Sequence, residues 1–153
     1  MSHDLRPARK PAQMPQTALV PAQPAVTVLA SRSLFWHPRH APASPMTVLV
    51  PFVFWLTDTL RPTSFACLGA GDGTAHFALC QAADQLDLAA RGYACGPWQG
   101  GQAEVPAALA QHNAENYPDM SRLSDSTPRA AAARFPRGSV DLLVVDLAAC
   151  ALT

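Results

Sequence analysis

Residues 64–74, SFACLGAGDGT, carry the strongest indication of the fold of this chain. The first five of these residues form a short apolar run that is typical of a strand buried in a parallel sheet. Glycines follow at alternate positions, and residues 74–88 then predict a helix that carries one apolar stripe. The members of that stripe are Leu79, Ala82, Ala83 and Leu86. A strand, a glycine-rich turn and a helix in this order indicate an α/β protein.

The segments on either side continue the alternation. Residues 47–60 predict a short helix that ends before Pro62. Its expected apolar face consists of Phe52, Trp55, Leu56 and Thr59. Further along, strands are expected at residues 91–95, 121–123 and 140–145, and helices at residues 105–116 and 128–135. Strands that alternate with helices form a parallel sheet with right-handed crossovers, so we predict a doubly wound α/β domain.

Composition divides the 153-residue chain into two parts. The first 45 residues hold eight of the 15 prolines, and their five basic groups and one acidic group give a net charge of +4. The remaining residues hold six basic and ten acidic groups, a net charge of −4. We therefore predict that residues 1–30 form a disordered, proline-rich basic arm. Residues 31–153 are expected to form the folded domain.

Charge and composition also exclude several classes of protein. Eleven Lys and Arg balance eleven Asp and Glu, so no net positive field favours binding to nucleic acid. The longest strongly apolar stretch, residues 46–56, is shorter than the ~20 residues that a membrane helix needs. Prolines also interrupt the apolar tract of the first 30 residues, which is therefore a poor signal peptide. We expect a cytoplasmic protein with no transmembrane segment.

No metal site is predicted. The four cysteines include no C-x-x-C pair, and buried, reduced side chains are the favoured interpretation. His37 and His40 lie three residues apart, but no acidic or cysteine ligand accompanies them. We interpret both histidines as surface residues.

The three glycines at 69, 71 and 73 give the strand–helix turn the spacing G-x-G-x-G. A dinucleotide fingerprint, G-x-G-x-x-G, would need a glycine where the chain has Thr74. The spacing resembles motif I of class I S-adenosylmethionine-dependent methyltransferases. The alternative interpretation is a tight turn between strand and helix that binds no ligand.

The resemblance extends from about Phe35 to Asp146. The chain is similar to bacterial class I methyltransferase domains that often occur beside glycosyltransferases in surface-polysaccharide proteins. The most specific pieces are ALCQA at 78–82, YA at 93–94, WQG at 98–100 and GSVDLL at 138–143. The resemblance implies an incomplete Rossmann-like parallel sheet with strand order 3-2-1-4, of which residues 31–153 form the N-terminal part. It also implies methyl transfer around surface-glycan synthesis, with S-adenosylmethionine as a weakly bound cofactor.

The same resemblance implies the residues that contact the cofactor: Gly69, Ala70, Gly71, Asp72, Gly73, Trp98 and Asp146. Asp146 follows a predicted strand, and open α/β sheets bind ligands at the carboxyl ends of their strands. The alternatives are a strand-end role for Asp146, a turn-stabilising role for Asp72 and packing of Trp98 beneath a loop. No catalytic residue is assigned. The candidates for a base are Asp146, Asp72, His76 and His112, and for the two histidines a position facing solvent is favoured.

Three positions depart from the family pattern. Cys67 replaces a usual acid, and Cys95 and Gly96 replace a Val-Asp pair whose carboxylate would accept the ribose hydroxyls of the cofactor. The two cysteines are expected to line the pocket as inert groups. We therefore predict weak or undetectable cofactor binding, which an aspartate at position 96 would strengthen provided that Cys95 does not block the pocket. The alternative function is a degenerate, non-catalytic module that acts through a protein partner.

The last predicted strand, residues 140–145, is almost wholly apolar, as a central parallel strand would be. The family's sheet continues past this strand, whereas this sequence stops at Thr153. We therefore expect a truncated copy of the domain, with an open strand edge that favours self-association or a protein partner.

Overall fold

The computed structural model describes residues 31–147, and every structural statement below concerns that range. Four strands form one sheet: β1 (Ser64–Leu68), β2 (Arg91–Cys95), β3 (Ser121–Ser124) and β4 (Leu142–Val145). Four α-helices accompany it: α1 (Val50–Leu60), α2 (Thr74–Gln85), α3 (Ala107–Asn116) and α4 (Pro128–Ala132). Short 3₁₀ helices lie at Arg32–Phe35, Pro45–Leu49 and Gln99–Gly101.

The sheet is parallel throughout, and its strand order is β3-β2-β1-β4. This confirms the predicted α/β fold and the predicted order 3-2-1-4. The strand β2 has the predicted bounds, whereas β4 begins two residues later than expected. The prediction of a disordered arm at residues 1–30 lies outside the described residues.

The two faces of the sheet are covered unequally. Helices α1, α2 and α3 all contribute to the core on the face that carries Phe65 and Cys67 of β1. On the opposite face, α4 contributes Ala131, which packs with Leu68 and Cys95. Helix α4 has only five residues, so this second face has much the smaller apolar cluster.

Helix α1 buries a different face from the predicted one. Its buried residues are Val50, Val53, Phe54 and Thr57, whereas Phe52 of the predicted face is 52% exposed. Almost every residue in the first two turns of α1 is apolar, so spacing alone does not select the buried side. Packing against α2 selects it, and the aromatic contact between Phe54 and Trp36 fixes it further.

Helix α2 is buried on nearly all sides, since every residue from Thr74 to Ala83 is buried. The expectation that His76 faces solvent is therefore wrong. Its side chain is fully buried, and its Nε2 lies 2.7 Å from the Oγ of Ser121 at the start of β3. Burial lowers the pKa of His76 to about 3, because the charged imidazolium would lose its hydration. His76 is thus a neutral core residue and not a catalytic base.

Candidate binding site

A cleft of about 700 Å³ opens at the carboxyl ends of β1 and β4. One wall is formed by residues 69–72 of the glycine loop, which we define as residues 69–73. The other walls are the end of β4 and residues 44–46, which belong to a segment, residues 36–46, that we call the strap. A volume of this size suits a small organic ligand, and the carboxyl ends of parallel strands are where open α/β sheets bind one.

The backbone of the glycine loop needs its glycines. Gly69, Gly71 and Gly73 have φ angles of 76°, 57° and 79°, a region that residues with a Cβ rarely adopt. The turn itself therefore explains the G-x-G-x-G spacing. That spacing by itself does not distinguish a ligand-binding loop from a tight turn.

The amide groups of the glycine loop are used within the protein. The N–H groups of Gly69 and Ala70 both donate to the carbonyl of Cys95, at 3.2 and 2.9 Å. The N–H of Gly71 donates to the carbonyl of Pro97 at 3.2 Å. Because these three donors are engaged, the loop does not offer them to a phosphate, unlike the loops that bind nucleotides.

Asp72 serves the turn and the cleft together. Its carboxylate accepts a hydrogen bond from the N–H of Thr74 at 2.9 Å, and its side chain lines the cleft. Burial raises the pKa of this carboxyl, but hydrogen bonds from the Ser44 side chain and from Thr74 outweigh it and bring the pKa below its usual value. Asp72 therefore presents a negative charge to the cleft at neutral pH.

Asp146 supplies a second carboxylate. It directly follows β4, its N–H donates to the carbonyl of Leu68 at 3.0 Å, and the residue lines the cleft. The other described lining residues include no Lys, Arg or His. The cleft is therefore apolar along most of its wall and acidic at two points, an arrangement that favours a neutral or cationic ligand over an anion.

Five of the seven predicted cofactor contacts lie at the cleft: Gly69, Ala70, Gly71, Asp72 and Asp146. The other two do not line it. Gly73 precedes α2, where the Phe77 ring lies close beside it. Trp98 is only 2% exposed, and its backbone forms isolated β-bridges with Gly71 and Gln102. This burial agrees with the alternative interpretation, in which Trp98 packs beneath a loop and does not contact a ligand.

The other residues considered in the sequence analysis do not all lie at the cleft. Cys67 lines the cleft, whereas Cys95 lies in the cluster on the other face of the sheet. Burial raises the pKa of the Cys67 thiol, so it is uncharged and inert at neutral pH. His112 is half-buried, and its ring packs against Phe77 at 4.6 Å between centroids. Within the described residues, no group of three His, Cys, Asp or Glu side chains could hold a metal ion.

The strap is the part of the cleft that sequence reasoning missed. Ser44, Pro45 and Met46 line the cleft from a segment that we expected to be only an anchored loop. His40, expected at the surface, is half-buried, and its Nε2 lies 2.8 Å from the carbonyl oxygen of Asp72. The strap is thus tied to the glycine loop directly.

A buried glutamine holds the other end of the strap. The amide of Gln81 donates to the carbonyl of His37 at 2.8 Å and accepts from the N–H of Arg39 at 2.7 Å. Arg39 also forms an ion pair with Asp84 at 2.8 Å. Gln81 belongs to the ALCQA segment that the sequence analysis singled out. That segment therefore pointed to a residue that holds the strap, although the contact itself was not predicted.

We expect Gln81→Leu to lower the free energy of unfolding by about 1–3 kcal/mol, because two backbone groups of the strap lose their buried partners. Urea denaturation followed by tryptophan fluorescence measures the change. Gln85→Leu is the matched control on the same helix, and its exposed position predicts a change within about 0.5 kcal/mol. Equal stability of the two variants would show that Gln81 does not hold the strap.

Comparisons of the chain with models of known protein families, with curated proteins and with solved structures found no match. The methyltransferase resemblance therefore stays a prediction from the sequence. No helix within residues 31–147 is both long enough and apolar enough to cross a membrane.

Proposed function

We propose that this domain binds S-adenosylmethionine in the cleft and acts as a methyltransferase-like domain. The observation that carries the proposal is the acidic cleft above the glycine loop, with Asp72 and Asp146 on its walls and no basic side chain among its described lining residues. S-Adenosylmethionine carries a sulfonium cation, which such a cleft attracts.

The same cleft is unsuited to a phosphate-bearing cofactor. A dinucleotide or nucleoside triphosphate would bring its negative charges toward Asp72 and Asp146. Three of the loop amides, those of Gly69, Ala70 and Gly71, are already hydrogen-bonded to the carbonyls of Cys95 and Pro97. These features favour the methyltransferase interpretation of the loop over a nicotinamide or ATP site.

Methyl transfer from a sulfonium needs few catalytic groups. A nucleophile attacks the methyl carbon in line with the C–S bond, which breaks and leaves its electron pair on sulfur as a neutral thioether. Positioning of the two reactants can supply much of the rate. Where the acceptor must lose a proton, we propose that Asp146 takes it. We draw the acceptor class, an intermediate of surface-glycan synthesis, from the sequence resemblance alone.

Isothermal titration calorimetry with three ligands tests the proposal. We expect S-adenosylmethionine to bind about tenfold more tightly than S-adenosylhomocysteine, which lacks the positive charge, a difference of about 1.4 kcal/mol. ATP is expected not to bind. Asp146→Asn should weaken binding of the sulfonium ligand and leave that of the thioether unchanged.

Two outcomes of this titration would contradict the proposal. One is ATP binding as tight as that of S-adenosylmethionine, and the other is no binding of S-adenosylmethionine at millimolar concentration. The second outcome would favour a different function.

That second candidate is a non-catalytic module that acts through a protein partner. The exposed apolar side chains of β4 and the residues after it favour this candidate. Leu143 in β4 is 53% exposed, and Leu147, two residues after the strand ends, is 78% exposed. Among the described strands, only β1 pairs with β4, so its other side has no strand partner there. Exposed apolar groups beside an unpaired strand edge are typical of surfaces that bind another chain, including a second copy.

A further inference from the structure

Position 96 does not face the cleft. Gly96 is buried after the end of β2, and a Cβ on it would lie 3.1 Å from Cδ1 and 3.2 Å from Nε1 of Trp98. To admit an aspartate there, the indole would have to shift by a few tenths of an ångström. The expectation that Gly96→Asp strengthens cofactor binding stays a prediction, and Gly96 is not among the described residues that line the cleft. A residue that contacts a bound ribose is therefore expected among those that do line the cleft near the end of β2.

Gln99 is placed to supply that group. It is the one residue of β2 and the following turn, residues 91–102, that lines the cleft. Its side chain is exposed, and its N–H donates to the carbonyl of Gly71 at 2.9 Å. Beside it, the N–H of Trp98 donates to the carbonyl of Gln102 at 2.8 Å. These bonds fix the backbone of Gln99 against the glycine loop and leave its side chain available to a ligand.

The chemistry of an amide suits a sugar diol. The Oε1 of a glutamine accepts a hydrogen bond from one hydroxyl, and its Nε2 donates to the oxygen of the other. A carboxylate would accept from both hydroxyls with charge-assisted bonds, which are stronger. A neutral amide at this point therefore agrees with the weak cofactor binding predicted from the sequence.

We propose that Gln99 binds the ribose hydroxyls of S-adenosylmethionine in place of the carboxylate that position 96 lacks; this inference rests on the proposed function. The nucleoside then lies on the β2 side of the cleft. The sulfonium lies toward Asp72 and Asp146. Gln99 is a binding residue and takes no part in the chemical step.

Calorimetry with S-adenosylmethionine and with an analogue that lacks both ribose hydroxyls tests this assignment. We expect Gln99→Ala to weaken binding of S-adenosylmethionine about fivefold to tenfold and to leave binding of the analogue unchanged. Gln99→Glu should strengthen binding of S-adenosylmethionine by more than it strengthens that of the analogue, because only the former offers hydroxyls to the carboxylate. Gln102→Ala is the matched control in the same turn, away from the cleft, and should bind like the wild-type protein.

The outcomes separate the two proposals. If the wild-type protein binds S-adenosylmethionine and Gln99→Ala binds it equally well, the assignment of Gln99 is overturned and the proposed function stands. If Gln99→Ala weakens both ligands equally, the ribose contact is likewise overturned. If the wild-type protein does not bind S-adenosylmethionine, both proposals are overturned. Thermal unfolding of each variant should match that of the wild type, since Gln99 and Gln102 are exposed.

Discussion

Gly92→Ala is expected to destabilise the domain by about 1–3 kcal/mol, since it adds a methyl group where the core has no space. Gly92 pairs with Phe65 across β1 and β2, and the phenyl ring lies over the glycine. A Cβ on Gly92 would lie 2.4 Å from Cε2 of Phe65 and 3.2 Å from Cε1 of His76. Both neighbours are buried, so neither ring can move aside freely. Urea denaturation of the two proteins measures the difference.

A double-mutant cycle with Phe65→Leu tests the cause of this loss. The smaller side chain removes the ring atoms that the new methyl group would meet. The double variant should therefore be more stable than the sum of the two single changes predicts, by about 1 kcal/mol. Additive effects would show that the cost at Gly92 arises elsewhere, for example in the backbone of β2.

The second large effect is a loss of stability on acidification, caused by His76. Its pKa is lowered to about 3 in the folded protein, whereas an unfolded histidine titrates near pH ~6.5. Below that value the unfolded chain binds a proton that the folded chain does not, so stability falls as the pH falls toward about 3. One proton corresponds to ~1.4 kcal/mol per pH unit, and we expect a loss of about 2 kcal/mol between pH 7 and pH 5.

His76→Gln provides the test of this assignment. The variant keeps a polar group near Ser121 but does not titrate, so about 2 kcal/mol of the pH dependence between pH 7 and pH 5 should disappear. The test compares how the free energy of unfolding changes with pH in the two proteins, and not their stability at pH 7. His112→Gln is the comparison: burial also lowers the pKa of His112, but this side chain is only half-buried, so the variant should remove a smaller part of the pH dependence. An unchanged pH profile in His76→Gln would contradict a neutral, buried His76.

The sequence located the strands well where glycine interrupts an apolar run. Strands β1 and β2 are followed by Gly69 and Gly96, and their predicted bounds agree with the structure. The start of β4 was misplaced because Asp141 does not extend the strand. Its carboxylate instead accepts hydrogen bonds from the N–H groups of Thr63 and Ser64, which lie 77 or more residues away. No pattern in the neighbouring residues predicts a contact between positions so far apart in the chain.

The candidate site was only partly accessible from the sequence. The glycine loop and Asp146 were found because they stand at the ends of predicted strands, and parallel strands bring such ends to one edge of a sheet. The strap was missed because its contacts span large separations, such as the 32 residues between His40 and Asp72. In the turn after β2, Trp98 is buried and Gln99 is exposed. A turn has no regular alternation of buried and exposed residues, so the sequence did not predict which of the two would reach the cleft.

Glycine spacing and apolar runs act over a few residues, and they sufficed to predict the order of elements, the parallel sheet and the position of the glycine loop. The folded chain was needed to show which face of α1 is buried and that His76 lies in the core. It was also needed to show that the cleft contains two carboxylates and no basic side chain among its described lining residues. Those properties depend on contacts between segments far apart in the chain. Burial and electrostatics arise from all the neighbours of a group in space, and spacing along the sequence does not specify them.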